Sequence, residues 1–184
     1  MPRFHAWMCV VTLTCVWAAP AVGQHHDPLN EKEVDQMREA ADYPNKRLEL
    51  MIGFARARLV SIQQMGADPD VTPRERPVKI HDLLQDFITL LDEIDDNIDM
   101  YRAHKTDMRK GLQLLIEADS EWQTQLRVLK QKSPPAEVDQ YSFVLTNATE
   151  AARDMGDSAR KALQEQNELA REKKLNKVYS ERPD

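Results

Sequence analysis

The chain has 184 residues, a formal charge of −6 and only two cysteines and five glycines. That length supports one domain with a sizeable core. An acidic balance disfavours nucleic acid and anionic lipid surfaces as partners. The scarcity of glycine and of alternating Val/Ile/Thr runs disfavours β-structure, so an all-α fold is predicted.

The first residues have the layout of an export signal. Arg3 supplies a positive start, Met8 to Trp17 an apolar stretch, and Ala18 to Gly23 a small-residue cleavage region. Cleavage fits after Ala21 or after Gly23, the second being preferred. The apolar run is shorter than the roughly 20 residues that span a bilayer, and Cys15 lacks the small residue that a lipid-anchoring site needs before it. A soluble periplasmic or secreted protein, with no membrane association after signal removal, is the expectation. Cleavage removes Cys9 and Cys15, leaving no cysteine for disulfides, thiolate metal sites or nucleophilic catalysis. It also removes Arg3, so the mature chain is one unit more acidic.

Gln24 to Leu29 reads as a flexible leader. Asn30 and Glu33 then form a capping-box pattern for a short first helix, which ends before Pro44 because Tyr43 is driven out of helical geometry. Pro44 suits the first turn of a second helix, whose Leu48, Ile52, Ala55, Leu59 and Ile62 share one side, with Gly66 as its predicted C-cap. Pro69, Pro73 and Pro77 make Ala67 to Pro77 a loop.

The next stretch dominates the chain. Ile80, Leu84, Phe87, Leu91, Ile94, Ile98 and Tyr101 are spaced alternately four and three residues apart, the seam of a bundled helix. Met108, Leu112, Leu115, Trp122, Leu126 and Leu129 continue the same count, with Lys105 and Asp119 at two positions that should be apolar. Either one helix of about 50 residues runs through, or a turn at Ala103 to Asp107 breaks it, with Thr106 or Asp107 as cap. The turn is favoured, because it yields helices of matched length. Ser133 and Pro134 form an N-cap and first-turn pair for a last helix. Its seam of Val138, Tyr141, Leu145, Ala148, Ala152, Met155, Ala159 and Ala162 is rich in alanine. After Leu163 the sequence is almost wholly polar and forms an extension or a tail, separating a bundle domain at 30–163 from residues 164–184.

The predicted fold is therefore an antiparallel bundle of four long amphipathic helices with a short leading helix. The alternative is an elongated three-helix coil with one continuous helix over about 78–131.

Candidate chemistry is sparse. Asp92, Asp95, Asp96 and Asp99 project from one helical face and offer oxygen ligands to a hard divalent cation. They lack the glycine turn and bidentate Glu of a calcium loop, so a solvated face, or pairing with Arg109, Lys110, Arg56 or Arg58, is preferred. Asp119 must find a partner or be neutralised if the seam is buried there; a salt bridge, or a seam that drifts to the bundle edge at this point, is preferred to a ligand site. His25 and His26, behind a new amino terminus at Gln24, match a square-planar Cu²⁺ or Ni²⁺ site. His81 and His104 stand alone, and Asn147-Ala148-Thr149 matches a glycosylation triplet. No nucleophile elbow, phosphate loop, zinc helix or dinucleotide fingerprint is present, so a non-enzymatic protein without a resident cofactor is expected.

Three segments, Asp96-Asn97-Ile98-Asp99-Met100, Asp107-Met108-Arg109-Lys110 and Glu117-Ala118-Asp119-Ser120-Glu121-Trp122, resemble a family of exported helical proteins from acidobacterial-type bacteria. The resemblance implies an extracytoplasmic bacterial setting and carries no activity. The functional expectation is action through a protein partner or self-association along helix seams. Extracytoplasmic binding or buffering of a divalent metal is the alternative.

Overall fold

A computed structural model describes residues 27–66 and 68–180, with side chains as far as Lys174. The predicted export signal and the His25–His26 pair lie outside the described residues. Among the described residues five helices follow one another: α1 (Glu31–Glu39), α2 (Pro44–Gln64), α3 (Arg76–Ala103), α4 (Arg109–Lys132) and α5 (Pro135–Ser180). They form the predicted bundle of four long helices with α1 leading.

The local signals explain most boundaries. Asn30 accepts a hydrogen bond from the Glu33 backbone N–H at 3.0 Å, and the Glu33 carboxylate accepts from the Asn30 N–H at 2.9 Å. Pro44 opens α2, where a missing N–H costs nothing. Other boundaries differ from expectation. α2 ends at Gln64 with Met65 as its cap, and Gly66 does not adopt the left-handed conformation that would make it the C-cap. α3 begins at Arg76, so Pro77 belongs to its first turn and not to the loop. Ser133 closes α4 through its N–H to the Leu129 carbonyl at 3.2 Å, and α5 starts two residues later, at Pro135.

The chain breaks between α3 and α4, so the continuous-helix alternative does not describe this structure. Neither Thr106 nor Asp107 is the N-cap: Met108 holds that position without a side-chain cap. Lys105, at the seam position that should have been apolar, adopts φ 53, the left-handed region that non-glycine residues rarely occupy. All seam residues of α3 are buried, as are Met108, Leu112, Leu115, Trp122 and Leu126. At the centre Phe87 meets Trp122 edge-on, ring centroids 5.5 Å apart; such a pair adds about 1 kcal/mol to the area it buries.

The helices reverse direction at each connection, yet consecutive helices are not always neighbours. α2 and α5 each pack along both α3 and α4, while α3 and α4 do not run along each other. They occupy opposite corners, joined by a link that crosses the diagonal. The neighbouring pairs α2/α4 and α3/α5 are consequently parallel. Asn45 reaches the start of α4 and Arg56 reaches Glu121 further along it. Asp95 similarly meets Ser158, and Arg102 meets Glu165. The parallel α2/α4 pair comes close at Gly111, where a Cβ would lie 2.7 Å from the Leu48 Cδ1. Gly111→Ala is expected to cost about 1–2 kcal/mol by overpacking, read as a lower urea midpoint at unchanged slope.

The 46 residues of α5 span about 69 Å at 1.5 Å per residue, nearly twice the length of α4. Its alanine seam is buried from Ala148 to Ala162, and from Asn167 to Lys174 it is largely exposed. The polar end of the sequence is thus a helical overhang as far as Ser180.

The described end of the leader, Asp27 to Leu29, is held to the bundle. Leu29 packs against the core, and the Pro28 carbonyl accepts a hydrogen bond from Arg58. Arg58 also grips Glu33 with both terminal nitrogens, at 2.8 and 2.7 Å, and its Nε lies 3.7 Å from Asp86. One guanidinium thereby ties leader, α1, α2 and α3.

Candidate functional site

The aspartates of α3 do not form one ligand set. Asp99 pairs with Arg102 at 3.0 Å, and Asp95 accepts from the Ser158 hydroxyl of α5 at 3.1 Å. Asp96 is exposed. Asp92 and Asp95 line a groove between α3 and α5 whose other acidic residues are Glu150 and Asp154. Three of the four basic residues expected beside this face are occupied elsewhere: Arg56 with Glu121, Arg58 with Glu33 and Asp86, and Arg109 with Asp107; Lys110 forms no ion pair with these aspartates among the described residues. Among the described residues no three His, Asp or Glu side chains converge on one ion position.

Burial pushes the Asp92 carboxyl above its ordinary value, and the charges of Asp95 and Asp96 push in the same direction. A carboxyl raised in the folded state opposes folding once it ionises. Its penalty is absent below the unfolded value near 3.8 and sets in as pH rises through the folded value. Asp92→Asn is therefore expected to raise the thermal midpoint at pH 7 and to leave it nearly unchanged at pH 3. An unchanged midpoint at both pH values would contradict this account of the groove.

Asp119 resolves as an ion pair. Its side chain is 1% exposed, with Arg160 of α5 at 2.7 Å and Gln123 one turn on at 2.5 Å. Gly156 lies directly over the carboxylate and leaves it the room it occupies. His81 sits beside Asp82, and His104 closes on the Met100 carbonyl of its own helix at 2.7 Å. Neither meets a second histidine.

The feature most suited to holding a partner lies where α5 passes the α3–α4 turn. Two side-chain amides clamp that turn from opposite corners. Asn45 of α2 donates to the Asp107 carbonyl and accepts from the Gly111 N–H, both at 2.9 Å. Gln166 of α5 donates to the Thr106 carbonyl at 2.6 Å and accepts from the Met108 N–H at 3.0 Å. The start of α4 is thus capped by side chains from other helices together with Asp107, whose carboxylate accepts from the Arg109 N–H at 3.1 Å. Beside the clamp is an open cavity of about 530 Å³, floored by Ala103, Leu169 and Ala170 and rimmed by Arg102, Lys105, Arg109 and Lys173 with Asp99, Asp107 and Glu165.

The electrostatics of this end run against the overall charge of the chain. Arg102 forks onto Glu165 at 2.8 and 3.1 Å. Hydrogen bonds from the Arg109 side chain pull the Asp107 carboxyl down to about 2, against some burial; the Arg109 backbone N–H and the charges of Arg109 and Lys173 add to the pull. Lys105 has no ion pair among the described residues. The cavity therefore offers cations and a small apolar floor in an otherwise acidic molecule, the ingredients of a contact surface.

The clamp residues Asn45 and Gln166 carry no sequence signature, because each acts on backbone about 60 residues away. No family model matches this chain, and neither a curated protein nor a solved structure shows significant similarity to it.

Proposed function

We propose that this protein works outside the cytoplasm as a helical bundle that makes protein contacts, without catalysing a reaction. The observation that carries this is the overhang of α5. Fourteen residues, Asn167 to Ser180, continue as helix beyond Gln166, the last residue of α5 with an interhelical hydrogen bond among the described residues. Isolated helices of fewer than about 12–15 residues are marginal in water, and Leu169 on this stretch is 43% exposed. A partner laid against the overhang and the cavity at its root would bury that residue and answer the unpaired Lys105. The export-type first residues and the family resemblance support the extracytoplasmic setting. No described helix is long and apolar enough to cross a membrane.

Crosslinked capture from a native envelope fraction tests the proposal. The full chain is expected to recover a specific partner. A chain ending at Asn167 should lose that partner while keeping its unfolding midpoint within about 2 °C, since the described side chains it removes, Glu168 to Lys174, lie outside the core. A monomeric chain that recovers no specific partner would overturn the proposal.

One observation favours cation binding as a second function: Asp92 and Asp95 open toward Glu150 and Asp154 in a groove lined by no lysine or arginine. Calorimetry with Ca²⁺, Cu²⁺ and Ni²⁺ separates the cases. Ca²⁺ heat abolished by Asp92→Asn with Asp95→Asn supports the groove. Cu²⁺ or Ni²⁺ heat that survives those changes points to His25 and His26. Absence of heat at micromolar protein sinks this second function.

A further inference from the structure

We propose that the end of the bundle opposite the α3–α4 turn binds free α-amino acids with apolar side chains, gripped at the head by Arg76 and Glu137. All four long helices reach this end. α2 brings Ile62, α3 brings Arg76 and Ile80, α4 brings Val128 and Leu129, and α5 brings Glu137, around a cavity of about 390 Å³. That lies at the small end of the range usual for ligand sites, about 300–1,000 Å³. Gln63, Gly66 and Lys132, all exposed, stand at its rim.

The two charges set this cavity apart. Arg76 and Glu137 are largely withdrawn from water, their side chains 24% and 12% exposed. They approach each other only to 3.7 Å, too far for a hydrogen bond. Neither side chain makes a hydrogen bond among the described residues, and the Arg76 Nε is buried without a partner. Other buried charges of the bundle are closed: Arg58 holds Glu33 with two nitrogens, and Arg160 and Gln123 hold Asp119. A buried ion pair is sound only when hydrogen bonds satisfy both of its groups. Here a guanidinium fork and a carboxylate are both short of partners, and both border a cavity with apolar walls.

That combination selects the ligand. A simple carboxylate would satisfy Arg76 but meet the like charge of Glu137, and a simple amine would do the reverse. An α-amino acid bears both groups on neighbouring carbons, which suits two protein charges 3.7 Å apart. Its carboxylate accepts from the guanidinium, and its ammonium donates to Glu137. The side chain is left to the walls formed by Ile62, Ile80 and Leu129. Ile62 and Ile80 belong to the buried core, so this floor is fixed by packing before any ligand arrives. A polar side chain would give up water there without gaining a partner.

L-Leucine and its two halves supply the test, by calorimetry on the full chain. Isocaproate keeps the body and carboxylate of leucine without the ammonium; isoamylamine keeps the body and ammonium without the carboxylate. L-Leucine is expected to bind with a dissociation constant of about 100 µM or tighter. Each half should bind at least about tenfold more weakly, because one buried charge stays unanswered, and L-aspartate should give no heat. Arg76→Gln and Glu137→Gln should each weaken L-leucine by a similar factor. Both variants should keep the unfolding midpoint within about 2 °C, since neither replaced group makes a hydrogen bond. The series of halves is read on the unaltered chain and decides the matter even where a variant unfolds. Absence of L-leucine heat overturns the proposal. Isocaproate binding as tightly as L-leucine would remove Glu137 from the site, and isoamylamine doing so would remove Arg76; either result overturns it. So does L-leucine binding that is unchanged in both variants. The cavity and the α5 overhang lie at opposite ends of the bundle, so this site and the partner contact stand or fall separately.

Discussion

Gly156→Ala is expected to lower the unfolding free energy by about 3 kcal/mol, a large effect for one methyl group. Alanine is ordinarily the better helix former by about 1 kcal/mol, so the local preference points the other way and packing must overcome it. A Cβ at this position would overlap the Asp119 carboxylate, meeting its carbon and one of its oxygens well inside van der Waals distance. The carboxylate has nowhere to retreat. It is 1% exposed and held by Arg160 and Gln123, so any shift breaks hydrogen bonds to a buried charge.

A double-mutant cycle isolates this geometry. Asp119→Ala alone is expected to cost about 2 kcal/mol. It removes buried hydrogen bonds and leaves a small cavity, but it frees an arginine that is already half-exposed and can rehydrate. In the double variant the two methyl groups share the vacated space, so its cost should fall below the sum of the single effects by at least about 1 kcal/mol. Urea unfolding at constant slope reads all three values. Additive effects would mean that Gly156 is needed for some reason other than room for Asp119.

Legibility in the sequence followed the range of each interaction. Seams, capping box and first-turn proline are set by residues within one or two turns, and those features emerged where the pattern placed them. Asp119 was conspicuous as a carboxylate in an apolar seam; of the two readings, a salt bridge or a drift to the bundle edge, the buried ion pair is the one found. Its partner Arg160 and the niche at Gly156 depend on the register between α4 and α5, which no local pattern encodes. The diagonal crossing was hidden for a different reason: unbroken phase from Tyr101 to Met108 is compatible with both a turn and a helix, and what decides is the clamp by Asn45 and Gln166. The aspartates of α3 were readable as one helical stripe. What they face was not, and Asp92 proved to face other carboxylates of α5 while the arginines named as neighbours were engaged elsewhere. The cavity at the end of the bundle had no sequence signal beyond the polar run that begins at Gln164.

Arg58→Met should cost about 3 kcal/mol at pH 7, the usual consequence of removing one partner from a buried ion pair. Methionine keeps the bulk of the aliphatic stem, so the loss reports the guanidinium. Arg58, Glu33 and Asp86 have side chains only 12%, 11% and 13% exposed, which leaves water little access to replace the missing charge. The effect should also depend on pH in a defined direction. Burial alone would raise the Glu33 carboxyl; the hydrogen bonds and charge of Arg58, with the hydrogen bond from the Asn30 N–H, reverse this and leave it below its ordinary 4.5. A carboxyl lowered in the folded state stabilises above its unfolded value, and that contribution is lost as pH falls through the folded value. The gap between the wild-type chain and Arg58→Met should therefore be widest near neutral pH and narrow as pH falls below 4.5 and through the lowered folded value. Amide exchange offers a second, spatial check. Because Arg58 also holds the Pro28 carbonyl, protection in the variant should fall first at the start of α1, around Val34, whose N–H closes on the Asn30 carbonyl at 2.9 Å. A gap that stayed constant from pH 7 to pH 3, with protection in α1 unchanged, would show that Arg58 contributes only packing and that Glu33 caps α1 without it.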